Sequence, residues 1–380
     1  MSHRVVVLGC GMVGATLARD LASDLNLSVT AADVDGERLR KLDNIPRLQT
    51  RVADLSSPGA LKNLIQDFDL VVGALPSRFG FAALKTVVEC GKCYSDISFM
   101  PEDALELDAV AKRTGATAVV DCGVSPGLSN MMIGFAHANL DRTDCAEIYV
   151  GGLPFARHWP FEYKAPFAPS DVVEEYTRPA RLIENGQVVT RPALSEPELL
   201  DFGKVGTLEA FNTDGLRSLL KTVFITNMRE KTLRYPGHIE LMRVFRETGF
   251  FSKTPIDVGG VSVKPLDVTS RLLFPKWANT VDEEEFTVLR VIVKGIRSGK
   301  PFQYTFDLFD TTDRTTKTSS MARTTAFPCA IVARMLLTDK QREAGVFAPE
   351  SVAAKPGVFD SMVEQLRSRG VMIETVKTVG

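Results

Sequence analysis

Short β-branched runs and longer amphipathic stretches alternate through the first 123 residues, and this rhythm constrains the fold more than any other feature. The short runs lie at 5–8, 27–32, 48–52, 70–75, 93–97 and 118–122; helix-like segments fill 12–25, 37–42, 58–66, 81–90 and 102–114. Apolar strands separated by helices form βαβ units, whose strands find partners only in a parallel sheet covered on both faces. Six strands in that order predict an α/β class, with an N-terminal Rossmann-type doubly wound sheet. Ligands are then expected at the carboxyl ends of its strands.

The first strand runs directly into Gly9-Cys10-Gly11-Met12-Val13-Gly14, which opens a helix. In a G-x-G-x-x-G turn Gly9 makes the sharp bend, Gly11 lets a pyrophosphate approach the backbone, and Gly14 lets helix and strand pack closely. The free N–H groups at the helix start then meet the phosphates. The second apolar run ends at Asp33, nineteen residues past Gly14. A carboxylate there accepts both ribose hydroxyls and repels a 2′-phosphate, so NAD is the expected cofactor. Asp35 adds charge of the same sign, and Arg38 is the one dissenting residue. Val34, Asp54 after the third run, Ala74, Leu75 and Pro76 after the fourth, and Ile97 after the fifth complete the expected cofactor contacts.

Composition narrows the alternatives. Of 380 residues, 44% are hydrophobic and 24% charged, with 45 basic against 47 acidic side chains. No basic surplus marks a nucleic-acid binder, and no apolar stretch reaches the roughly 18 residues of a membrane span. The apolar run behind Met1 is too short for a signal-peptide core. Six scattered cysteines make no disulfide framework, so a reduced, cytoplasmic setting is expected. Cys90 and Cys93 match C-x-x-C by letters alone, and no second pair offers zinc its remaining ligands; no metal site is expected.

Beyond Gly123 the pattern becomes mixed. Strands are expected at 147–152, 207–211, 287–294 and 302–308, with a hairpin at 184–187 and helices at 215–223, 238–248, 265–273 and 319–337. Residues 124–338 therefore read as an α+β substrate and oligomerisation domain with a mixed sheet, and 339–380 as a segment packing back on domain 1–123. Asp96 and Asp121 end the fifth and sixth apolar runs, where carboxylates meet an amine or move a proton. Arg217 and Arg234 stand beside turns, where a guanidinium grips a carboxylate with two parallel bonds. His238 follows a tight turn and is the candidate proton acceptor. Thr324 opens an apolar helix whose hydroxyls face substrate or nicotinamide.

Several strings resemble the saccharopine dehydrogenase superfamily, and more closely its L-lysine 6-dehydrogenase branch. They are 72–76, Asp96-Ile97-Ser98-Phe99-Met100-Pro101-Glu102, 123–130, 149–154, Glu174-Glu175-Tyr176-Thr177-Arg178-Pro179-Ala180-Arg181, Asp214-Gly215-Leu216-Arg217-Ser218 and Thr232-Leu233-Arg234-Tyr235-Pro236-Gly237-His238. Tyr235 stands where some relatives carry Trp, which alters a pocket wall. The resemblance implies NAD-dependent oxidative deamination of the ε-amine of L-lysine to 2-aminoadipate 6-semialdehyde, with ammonia released. An ε-ammonium, with its pKa of about 10.4, must lose a proton before hydride can leave. His238 and Asp121 are the expected catalytic residues. Asp96, Phe99, Met100, Arg217, Arg234, Tyr235 and Thr324 are the expected substrate contacts, with Arg234 first and Arg217 second for the α-carboxylate.

Two other readings stay open: a saccharopine or carboxynorspermidine dehydrogenase acting on a secondary amine, and a non-catalytic NAD-binding regulator. The expected partners are an amino-acid substrate and further copies of the chain, as a homodimer or homotetramer; neither nucleic acid nor membrane is expected.

Overall fold

The computed structural model describes residues 2–279, 283–338 and 343–380. Its chain forms two compact units. The first gathers Met1–Asn139, Lys221–Val223 and Ala322–Met372; the second gathers Leu140–Leu220, Phe224–Met321 and Ile373–Gly380.

In the first unit β1 (His3–Leu8), α1 (Met12–Ala22), β2 (Leu27–Asp33), α2 (Gly36–Arg40), β3 (Leu48–Val52), α3 (Pro58–Ile65), β4 (Leu70–Gly73), α4 (Ser77–Glu89), β5 (Cys93–Asp96), α5 (Asp108–Thr114) and β6 (Thr117–Val119) follow the predicted alternation. Every strand pair is parallel, and the order is Gly345–Phe347, β6, β5, β4, β1, β2, β3. The direction of winding reverses between β4 and β1, so loops at their carboxyl ends splay apart and leave a crevice. Val5, Val6, Val7 and Leu8 are all fully buried, as a strand covered on both faces requires. Helices start where the side chains dictate. Asp35 caps α2 by accepting from the Glu37 and Arg38 N–H groups, and Ser57 with Pro58 begins α3.

The seventh strand, Gly345–Phe347, joins β6 from far along the chain. Three residues carry no periodicity, so the sequence shows only six strands.

The second unit is built on a mixed sheet in the order Glu198–Asp201, Thr207–Asn212, Asn227–Arg234, Arg142–Pro154, Glu285–Arg297, Lys300–Thr311, Ile373–Val379, with the hairpin Ala180–Glu184/Gln187–Arg191 attached. Asn227–Arg234 runs parallel to Arg142–Pro154 and antiparallel to Thr207–Asn212. Sequence reading missed this central strand because Arg229, Glu230 and Lys231 interrupt its apolar pattern. The two cations are met inside the unit: Lys231 lies 2.8 Å from Glu198, and Arg229 pairs with Glu147.

The unit limits differ from those read in the sequence. Leu128–Ala138 belongs to the first unit, and the helix Ser320–Thr338 starts in the second and continues in the first. The final strand Ile373–Val379 pairs with Lys300–Thr311, so the chain's end leaves the first unit. Positions 339–342 lie outside the described residues. The helix expected over 215–223 shrinks to Leu219–Thr222, because Arg217 takes a left-handed φ of 54° that no α-helix contains.

Candidate active site

The glycine turn of the first unit is built for close approach. A Cβ on Gly14 would sit 1.9 Å from the Gly9 carbonyl oxygen, and one on Gly9 (φ 90°) 2.5 Å from that of Ala74. Around Gly11 the situation is reversed: nothing lies within 4 Å of where its Cβ would be. Gly11 is also the N-cap of α1, with no side-chain cap and no acid in the first turn. Two glycines thus close the turn and the third leaves space over a helix N-terminus, the shape and polarity a pyrophosphate needs.

Asp33 braces this turn. Its Oδ2 accepts the Cys10 N–H at 2.6 Å and its Oδ1 the Asp35 N–H at 2.8 Å. Arg38 reaches over the pair, with Nη1 3.9 Å from Asp33 and Nε 3.3 Å from Asp35. The parallel sheet aligns Gly9, Asp33, Asp54, Ala74 and Ile97 at or just past the ends of β1 to β5. Met12, Val34 and Asp54 are exposed there; Gly11, Val13, Ala74, Pro76 and Ile97 are half-buried, and Leu75 is buried. The expected cofactor residues therefore form one ledge, and the ledge fits a dinucleotide.

The two acids beyond it are more deeply set than expected. Asp96 is fully buried: Oδ1 accepts from Tyr94 at 3.1 Å and Ser98 at 2.8 Å, while no donor among the described residues reaches Oδ2. Burial pushes its carboxyl up to about 7, with nearby Asp121 adding to the rise and the Ser98 and Tyr94 hydrogen bonds opposing it. A side chain with no exposed surface does not face substrate directly, which corrects that expectation for Asp96. Asp121 lies two residues past β6 rather than in it, buried, with a left-handed φ of 52°. Such a backbone at a short acidic side chain is tolerated. Met100 and Thr324 are fully buried in the first unit, Met100 in its apolar core, so neither lines a pocket wall. Phe99 is half-buried.

In the second unit the expected clamp and base turn out to be interior groups. Arg234, 2% exposed, forms an ion pair with Glu175 at 2.5 Å and donates to Tyr176, Tyr163 and the Leu233 carbonyl. The Tyr163 ring stacks under its guanidinium at 4.3 Å. A guanidinium so occupied has no fork left for a substrate carboxylate. His238 places Nδ1 2.8 Å from the Phe161 carbonyl and Nε2 3.0 Å from the Tyr176 hydroxyl. The carbonyl accepts only, so Nδ1 carries the proton and Nε2 accepts from Tyr176. Burial, with Arg234 beside it, lowers this imidazole to about 3. Neutral at any ordinary pH and bonded at both nitrogens, it is a structural histidine and not the proton acceptor. Tyr235 is likewise buried, its hydroxyl spent on the Pro154 carbonyl at 2.9 Å and its ring covered by Arg157.

Arg217 differs from Arg234. In the turn that follows Thr207–Asn212, residues Thr213 to Leu216 are buried and Arg217 is the first that is half-exposed. Beneath it Glu230 is buried, accepting from the Thr213 hydroxyl at 2.5 Å and the Gly215 N–H at 3.1 Å. Burial pushes Glu230 up to about 8, and the Glu175 and Asp214 charges act in the same direction. Sequence reading overlooked Glu175, Tyr163 and Glu230. The first lay in a quoted string without a role, and the others carried no local signal.

Residues 5–119 match the model of the saccharopine dehydrogenase NADP binding domain, and 123–371 that of the saccharopine dehydrogenase C-terminal domain. Mitochondrial alpha-aminoadipic semialdehyde synthase of Mus musculus is 23% identical over 99% of this chain but 48% of its own length. The chain thus spans about half of that relative, and the same share of its rat and bovine counterparts. Carboxyaminopropylagmatine dehydrogenase of Synechocystis sp. is 22% identical over 93% of this chain and 94% of its own. Apo saccharopine dehydrogenase (L-Glu forming) from Saccharomyces cerevisiae has the same fold, with a TM-score of 0.81 at 17% identity across 99% of this chain and 100% of that one.

Proposed function

Because the chain belongs to the saccharopine dehydrogenase family, we propose that it is an NAD-dependent dehydrogenase that oxidises the ε-amine of L-lysine. L-Lysine, NAD⁺ and water would give 2-aminoadipate 6-semialdehyde, ammonium, NADH and one proton. The observation that carries the reading is the open space over Gly11 beside an Asp33 carboxylate locked in place by the glycine turn. Gly9, Gly11 and Gly14 hold the pyrophosphate, and Asp33 meets the adenosine ribose. When bound, the dinucleotide accepts a hydride from the carbon bearing the amine.

Asp121 is the candidate to take the proton that the ε-ammonium must lose before hydride departs. Arg217 is the candidate to receive the α-carboxylate in a two-bonded grip. In the second unit Arg234 is paired with Glu175, Arg181 with Asp214 and Arg157 with Glu162. This pairing favours a substrate with one carboxylate over one that joins two amino-acid halves.

Similarity across nearly the full length of a carboxyaminopropylagmatine dehydrogenase supports a second reading, action on a secondary amine. Following reduced nicotinamide by absorbance, with NAD or NADP and lysine, ornithine, saccharopine or diamines, separates the two. Turnover of lysine with NAD at the highest kcat/KM supports the first reading. Preference for saccharopine or another secondary amine overturns it, and cofactor binding without turnover of any amine leaves only a regulator.

A further inference from the structure

The turn that carries Arg217 rests on an acid for which substrate chemistry has no direct use. Glu230 projects from Asn227–Arg234 toward the turn following Thr207–Asn212, the neighbouring strand in the sheet. One carboxylate oxygen gathers the Thr213 hydroxyl and the Gly215 N–H, and the Thr213 N–H donates to the Glu230 carbonyl at 3.2 Å. Thr232, two residues along the same strand, lies 2.8 Å from the Thr213 hydroxyl and closes the network. Position 215 must be glycine for this to exist, since a Cβ there would lie 2.5 Å from the Glu230 carboxyl carbon. The next residue that emerges from burial is Arg217, in a left-handed conformation costly for a non-glycine residue. Such a conformation persists only where the surrounding structure over-determines it, and here the buried side of the turn is pinned by Glu230.

We propose that Glu230 is the positioning residue for Arg217, fixing where its guanidinium meets the substrate carboxylate; this rests on Arg217 being the carboxylate-binding group. The charged groups around Glu230 are Glu175, itself paired with Arg234, and Asp214, paired with Arg181. Neither pair spends a guanidinium on Glu230, so its hold on the turn depends on the two donated hydrogen bonds. An amide at this position keeps an acceptor oxygen and preserves them; a methyl group does not.

The test uses the full chain with two readouts. The first is trypsin cleavage of the native protein after Arg217, located by mass spectrometry. E230A is expected to be cut there on the order of tenfold faster than the wild type, E230Q at close to the wild-type rate, and T213V in between. The second is discrimination between L-lysine and 1,5-diaminopentane, which lacks the carboxylate. E230A should lose on the order of tenfold in their kcat/KM ratio, through KM for lysine with kcat kept. R217A should lose the same, and the double variant no more than R217A. Should E230A not fold, T213V carries both measurements.

Wild-type cleavage after Arg217, or intact discrimination alongside a defective R217A, overturns the proposal. An R217A variant that still discriminates overturns the assignment of Arg217, and with it Glu230's role toward substrate. A wild-type chain that oxidises no amine defeats the functional reading instead, and the cleavage rates then decide whether Glu230 holds the turn.

Discussion

The Tyr176 hydroxyl donates to Nε2 of His238 across 3.0 Å, joining a helix residue of Pro169–Thr177 to the first residue of His238–Glu247. With Nδ1 donating to the Phe161 carbonyl, the imidazole ties together three segments of the second unit. Its removal leaves a buried hydroxyl and a half-buried carbonyl short of a partner, costing about 1–3 kcal/mol. H238A is therefore expected to melt earlier while the pH profile of kcat/KM keeps its shape. A profile that loses an inflection in H238A would restore a proton-transfer role.

The same residue sets a pH dependence of stability. Its folded pKa, about 3, lies below the ordinary value of about 6.5. Between those limits the unfolded chain binds more protons, so this contribution is present above about 6.5 and is lost as pH falls toward 3. Denaturant titrations from pH 7 down to pH 4 should show a shallower loss of stability in H238N than in the wild type. Parallel slopes would show that the imidazole is not held neutral.

How much of this was legible follows from the range of each interaction. Gly9, Gly11, Gly14 and Asp33 announce themselves because strand, turn and helix are consecutive and the geometry is local. Their environments match the pattern: closed at Gly9 and Gly14, open at Gly11. Arg234 and His238 looked like site residues because each stands beside a turn. What fixes them lies 59 residues away at Glu175 and 62 at Tyr176, and no pattern in the sequence encodes that packing. Asn227–Arg234 was invisible for the opposite reason, since its charges look solvated until Glu198 and Glu147 are seen beside them. Asp96 was read correctly as the end of a strand, but nothing local shows that its carboxyl has no exposed surface.

Gly11 and Gly14 should respond differently to the same substitution. At Gly11 the backbone φ is −65°, and an added methyl meets nothing within 4 Å. G11A is expected to keep its melting temperature within about 2 °C and to bind NAD on the order of tenfold more weakly, as the methyl enters the pyrophosphate's space. At Gly14 the methyl would lie 1.9 Å from the Gly9 carbonyl oxygen, so G14A should lose about 1–3 kcal/mol of stability as well as cofactor. Calorimetric titration with NAD beside thermal melts checks both. Unchanged affinity in G11A would place the dinucleotide elsewhere.

Asp96 gives a stability trend of opposite sign to His238. Burial raises its carboxyl to about 7, against an ordinary value of about 3.9. The folded chain therefore holds a proton that the unfolded chain has released, and this contribution is complete below about 4 and lost as pH rises through 7. D96N keeps a neutral side chain of the same shape at every pH. Its stability relative to the wild type should improve steadily from pH 5 to pH 8, as read from urea midpoints. A difference independent of pH would mean that Asp96 is ionised throughout.

The proposed preference for NAD over NADP makes a prediction about Arg38 and Asp33. The Asp33 carboxylate is fixed by the Cys10 and Asp35 N–H groups, so it cannot swing away from a 2′-phosphate. Arg38 is more than half exposed, and its guanidinium approaches both Asp33 and Asp35. It offsets part of the Asp33 charge that would repel a 2′-phosphate, by an amount that solvent keeps small. R38A should raise the NAD over NADP ratio of kcat/KM by about twofold to fivefold. D33N, which removes the repelling charge but retains an acceptor for the Cys10 N–H, should lower the ratio on the order of tenfold. The two effects act in opposite directions on one number, and a destabilised turn would not produce that. An R38A chain that lost NADP and NAD activity equally would remove the arginine from the choice. A D33N chain that still refused NADP would move the discrimination to Asp35, whose side chain accepts from the Glu37 N–H at 2.8 Å at the start of α2.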